Sequence, residues 1–127
     1  MNDVLKGSCA CGQIHFTTTG VPKGAAVCHC GQCRKMSGHA WASAHVRREA
    51  FEIEGPIKWL RLSEKAERGI CPDCGSFLFW VGAQDPDYIS FALGAIDGPT
   101  GITLGRHIFV SDKADYYLLD DGLKQER

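Results

Sequence analysis

The chain has seven cysteines, in three short groups: Cys9-Ala10-Cys11, Cys28-His29-Cys30-Gly31-Gln32-Cys33 and Cys71-Pro72-Asp73-Cys74-Gly75. Thiolates one or two residues apart on a tight turn can converge on one ion, whereas scattered buried cysteines behave as small hydrophobes. The grouping therefore points to metal. In the third group Gly75 can take a positive φ, leaving backbone N–H groups of the turn free to bond the sulfurs. Two thiolates are half of a structural zinc site, and the other half comes from Cys9 and Cys11 or from the middle group. Pairing the outer groups closes a four-cysteine site of Cys9, Cys11, Cys71 and Cys74. It leaves Cys28, Cys30 and Cys33 as a three-ligand set with one position open, the pattern of catalytic zinc. The competing readings are a redox dithiol at Cys71 and Cys74, unpaired thiols at Cys9 and Cys11, and a second closed site or an iron–sulfur cluster in the middle. His29 lies between two ligands, so its ring is expected to point away from the metal; the alternative is a fourth ligand.

Zinc held by three thiolates carries one net negative formal charge and is a weak Lewis acid. Such a site suits thiol chemistry, because an incoming sulfur can be kept ionised there. Arg34, Lys35, Arg47 and Arg48 are candidate anion contacts, against the reading that they are solvated. His39 and His45 are candidate acid–base groups, against purely structural roles.

The elements that must position these residues read as short strands. Residues 14–19, 41–46, 51–54, 57–62, 77–81, 88–93 and 107–110 are β-branched or aromatic, partly alternating, and bounded by Gly, Pro or charge. Many short strands with regular turns predict a mainly β, antiparallel fold. The one helical segment expected is a short turn after Cys33, over Arg34–Ser37, stopped by Gly38.

The order of these motifs resembles the glutathione-dependent formaldehyde-activating enzyme family. The resemblance is carried by Gly7 to Gly12, Cys28 to Gly38, Arg68-Gly69-Ile70-Cys71-Pro72-Asp73-Cys74-Gly75-Ser76, and His107-Ile108-Phe109-Val110 with Lys113. It implies a β-tent-type fold with zinc knuckles and two zinc ions per chain. Cys9, Cys11, Cys71 and Cys74 are implied for the structural ion, and Cys28, Cys30 and Cys33 for the catalytic one. It further implies carbon–sulfur lyase chemistry, joining glutathione or another thiol to formaldehyde or another small aldehyde. Ile70 stands where such proteins often have Phe, and Tyr116-Tyr117 where they have Trp. The alternative is a non-catalytic, zinc-stabilised binding module on the same fold.

Length and charge bound the remainder. At 127 residues the chain is expected to be a single zinc-binding domain, 1–127. With 14 Lys and Arg against 15 Asp and Glu, the basic footprint of a nucleic-acid binder is absent. No apolar run approaches the roughly 20 residues of a membrane span. Residues 1–6 lack the pattern of a signal peptide, so a cytoplasmic protein is expected. An odd number of thiols in a reducing compartment argues against a disulfide framework.

Overall fold

The computed structural model describes residues 4–127. It contains strands β1 (Leu5–Ser8), β2 (His15–Thr18), β3 (Lys23–Cys28), β4 (Trp41–Arg47), β5 (Phe51–Glu54), β6 (Lys58–Ser63), β7 (Ala66–Ile70), β8 (Phe77–Gly82), β9 (Tyr88–Ala92), β10 (Arg106–Ile108) and β11 (Lys124–Gln125). One α-helix, α1 (Gly31–Ser37), links β3 to β4. The strands form a three-stranded sheet, β1-β2-β5, and an eight-stranded sheet, β11-β10-β3-β4-β9-β8-β7-β6. The mainly β fold expected from the sequence is the one observed.

Side-chain alternation decides how the two layers meet. Phe79 lies opposite Phe91, and Phe91 opposite Ala44, so three neighbouring strands of the large sheet turn apolar groups to one face. Phe16 of the small sheet meets Phe79 edge-on at 5.1 Å and stacks on Phe51 at 5.4 Å, which places the main core between the sheets. β1 can pass over this ring only because Gly7 lacks a Cβ, which would stand 2.2 Å from the Phe16 ring. Trp80 and Ser90, paired one position along from Phe79 and Phe91, point to the opposite face of the large sheet. That face carries the site.

Three features differ from the expected pattern. The large sheet is mixed, since β10 runs parallel to both β3 and β11. β1, β3 and β7 carry too little apolar alternation to read as strands; in β7, Gly69 is bare because Trp59 and Phe79 cover it from the two adjoining strands. The helix begins before Cys33 and contains it, because Cys30 takes the N-cap position and accepts the Cys33 N–H. It ends at Gly38 as expected, in the left-handed conformation at φ 85°. Among the described residues no helix is long and apolar enough to cross a membrane.

Candidate metal centres

β1 runs into the turn that holds Cys9 and Cys11, and β7 into the turn that holds Cys71 and Cys74. The two turns are built alike. Gly12 and Gly75 are both left-handed, at φ 81° and 80°, and their N–H groups donate to the carbonyls of Cys9 and Cys71 at 3.0 and 2.9 Å. All four Sγ atoms lie within 4.8 Å of one another, with Cys9–Cys11 at 3.5 Å and Cys11–Cys71 at 3.7 Å, and all are free thiols. Four sulfurs on tetrahedral zinc, each bonded at about 2.3 Å, stand roughly 3.8 Å apart, so the donor set fits that ion.

Backbone N–H groups face two of the four sulfurs. Ile14 N–H donates to Cys9 Sγ at 3.2 Å and Cys74 N–H to Cys71 Sγ at 3.4 Å. The Ser76 hydroxyl, 3.2 Å from Cys74 Sγ, holds that thiol down at about 5. The same hydroxyl accepts the Ala10 N–H at 3.0 Å and stitches the two turns together.

The second cluster sits at the junction of β3 and α1. Cys28 ends the strand, Cys30 caps the helix and Cys33 lies in its first turn; their Sγ atoms also fall within 4.8 Å of one another. The hydrogen bond with Cys33 pulls the Cys28 thiol down to about 6, while the same contact and burial push Cys33 up. No fourth His, Cys, Asp or Glu joins this group among the described residues. Instead the three cysteines border a cleft of about 760 Å³, walled by Trp41, Trp80, Arg68, Lys65 and Phe109. Phe109 reaches this wall from a left-handed backbone at φ 54°, a conformation rare for an aromatic residue.

His29 is fully buried and faces away from the sulfurs. Its Nε2 lies 3.0 Å from His107 Nδ1, His107 Nε2 lies 2.8 Å from Asp121 Oδ2, and Tyr117 Oη lies 2.8 Å from His29 Nδ1. The His107 hydrogen bond keeps the Asp121 carboxyl below its ordinary range, so this carboxylate can only accept. With both imidazoles neutral, His107 donates through Nε2, His29 through Nε2, and Tyr117 through its hydroxyl, giving one direction to the whole chain. The parallel pairing of β10 with β3 brings the two histidines together.

The remaining candidates separate. Arg34 borders the cleft, its Nε donating to the Asp112 carbonyl at 3.2 Å, whereas Lys35 does not line it. Arg47 pairs with Glu49 at 2.9 Å, and Arg48 lies over the Trp59 ring at 5.6 Å; neither borders the cleft. His39 bonds Tyr116 Oη at 2.5 Å, and His45 packs against Tyr88 in a different hollow. The solvated or structural readings therefore hold for these four: His45 and Arg47 share the sheet face of Trp80 and Ser90 but lie farther along β4, and His39 and Arg48 lie outside the strands, after α1 and after β4. Arg68 and Lys113, quoted from the sequence only as part of the resemblance, and Lys65 border the cleft, and none of the three was a candidate site residue. The signal for Arg68 was its even spacing from Ala66 and Ile70 in a segment too polar to read as a strand.

A layered β protein with one closed four-cysteine cluster and one open three-cysteine cluster beside a cleft is the class that fold and site define. The chain belongs to the glutathione-dependent formaldehyde-activating enzyme family, which it matches over residues 4–112. It is 28% identical over 116 residues to an uncharacterized lyase of Schizosaccharomyces pombe, covering 88% of this chain and 82% of that protein. The crystal structure of a Rhodobacter sphaeroides protein shares the fold at a TM-score of 0.62 and 20% identity, over 76% of this chain and 91% of that one.

Proposed function

We propose that the chain is a zinc-dependent carbon–sulfur lyase-type enzyme that joins a thiol, glutathione in the family's usual form, to formaldehyde or a small aldehyde. The observation that carries this reading is the open three-cysteine cluster at the edge of a large cleft. In the proposal Cys9, Cys11, Cys71 and Cys74 hold a structural zinc, and Cys28, Cys30 and Cys33 hold a second. The second zinc supplies the positive charge that keeps a thiol ionised at neutral pH.

This chain's own residues supply the remainder. Trp41 and Trp80 give the cleft an apolar wall that excludes water from one side of the reactants, and Arg68 and Lys65 give it positive charge. In the reaction the thiolate sulfur forms a bond to the carbonyl carbon, the carbonyl π pair moves to oxygen, and the resulting alkoxide takes up the proton lost by the thiol. The product is a hydroxymethyl thioether, with atoms and charge balanced. Holding both reactants in one cleft accounts for much of the acceleration. Seven free thiols suit the reducing cytoplasm, and the whole span 1–127 acts as one zinc-binding domain in this reading.

NMR exchange spectroscopy on formaldehyde and glutathione tests it. Metal-loaded protein should form the adduct faster than buffer; equal rates would overturn the enzyme reading in favour of a zinc-stabilised binding module.

A further inference from the structure

Among the described residues three buried side-chain nitrogens have no hydrogen-bond partner: Trp41 Nε1, Arg68 Nε and Arg68 Nη1. Both side chains line the cleft beside Cys28, Cys30 and Cys33. Arg68 is only 4% exposed and Trp41 only 6%. Buried polar groups are normally satisfied, because an unmade hydrogen bond leaves the desolvation cost uncompensated. Here the unsatisfied groups belong to two side chains that border one cleft. All are donors, and the guanidinium cannot lose its charge.

Of the other cations of the cleft, Lys65 is exposed to solvent, and two are engaged by carbonyls. Lys113 Nζ donates to the carbonyls of Ala114 and Tyr117, and Arg34 is bonded to the Asp112 carbonyl. Arg68 is held on the cleft face by the register of β7, where it lies opposite Trp80 on one side and Leu60 on the other. Its planar fork matches the two oxygens of a carboxylate, and one guanidinium balances that group's single charge.

We propose that the Arg68 guanidinium and the Trp41 indole N–H bind a carboxylate of the thiol co-substrate, so that the cleft selects acid-bearing thiols. The proposal rests on the reading of this cleft as a thiol site. It identifies the part of the co-substrate that the protein grips, as distinct from the sulfur that reacts.

The test uses S-methylglutathione, whose blocked sulfur cannot react, and its dimethyl ester, with calorimetry on metal-loaded protein. The acid should bind the wild type more tightly than the diester by about ten- to a hundredfold, the worth of a charged hydrogen bond. Arg68→Gln should abolish that preference by weakening the acid alone. Its melting temperature should stay at or above that of the wild type, because no hydrogen bond of the ligand-free protein is lost. In ¹H–¹⁵N spectra of wild-type protein the Trp41 indole signal, assigned by its absence in Trp41→Phe, should shift downfield with the acid and stay in place with the diester. An unshifted indole signal, or equal affinity for acid and diester in the wild type, would overturn the proposal. So would an Arg68→Gln protein that binds normally but melts several degrees lower, since the guanidinium would then serve only to balance the thiolates. Acid-selective binding without faster adduct formation would overturn the enzyme reading and leave the carboxylate site standing. Faster adduct formation with no acid preference would do the reverse.

Discussion

The two cysteine clusters use the same atoms for opposite ends. The four-cysteine cluster joins two matched turns from distant parts of the chain, and its side chains complete a full shell of sulfur. The three-cysteine cluster is drawn from a single stretch of six residues, Cys28 to Cys33, and stops one ligand short beside a cleft. Ligands from separate segments convert metal affinity into folding energy, since the ion must hold the segments together. Ligands from one local stretch leave the fold less dependent on the ion, and the vacant direction is free for a substrate.

The largest expected effect follows from that contrast. Cys74→Ser should unfold or precipitate the protein, because the ligation free energy at such a site, about 10 kcal/mol or more, matches the whole stability of a small domain. Cys74 is exposed, so lost packing could not account for the result. A Cys74→Ser protein melting like wild type would break the comparison. Cys30→Ser should instead remain folded and carry about one zinc fewer by metal analysis; wholesale unfolding would show that the second cluster also holds the fold.

Smaller perturbations sharpen the same division. Gly75 and Gly38 both occupy left-handed positions with open space where a Cβ would project. Alanine at either should cost about 1 kcal/mol through backbone strain alone, measured as a shift in the urea midpoint. Their effects on metal should part: Gly75→Ala should speed zinc release to a chelator from the closed site only, and Gly38→Ala from the open site only. The smallest effect on metal is expected from Tyr117→Phe, which leaves the buried His29 Nδ1 without its partner and should cost about 1–3 kcal/mol of stability with the four-cysteine site untouched. Chelation kinetics in which Tyr117→Phe loosened the closed site first would contradict the separation.

What could be read in the sequence was what local spacing controls. Cysteine intervals within each group and the glycines that follow them are set by turn geometry, and the structure brings each expected group together. Strands with aromatic alternation, such as Phe77–Gly82, were equally plain. The parallel insertion of β10 was not, because nothing in His107 or its neighbours specifies a partner some eighty positions earlier. Arg68 was visible as part of a motif but not as a residue of the cleft, for a related reason. Its strand draws its burial from Trp59 and Phe79 on either side, and its own residues, Ala-Glu-Arg-Gly-Ile, give little sign of it. Of the cationic residues chosen for closeness in sequence to Cys33 or to a strand end, only Arg34 borders the cleft: Lys35 projects elsewhere from α1, Arg47 lies at the far end of β4 and Arg48 in the turn beyond it.

The position of β10 also orders events during synthesis. Every ligand of the four-cysteine cluster precedes β8, so a nascent chain can bring that cluster together before β10 has been made. The network around His29 must wait, because His107, Tyr117 and Asp121 follow all seven cysteines. In the proposed reading a ribosome-bound intermediate would thus already hold its structural ion while the open site still lacked the backing that the segment from β10 onward provides.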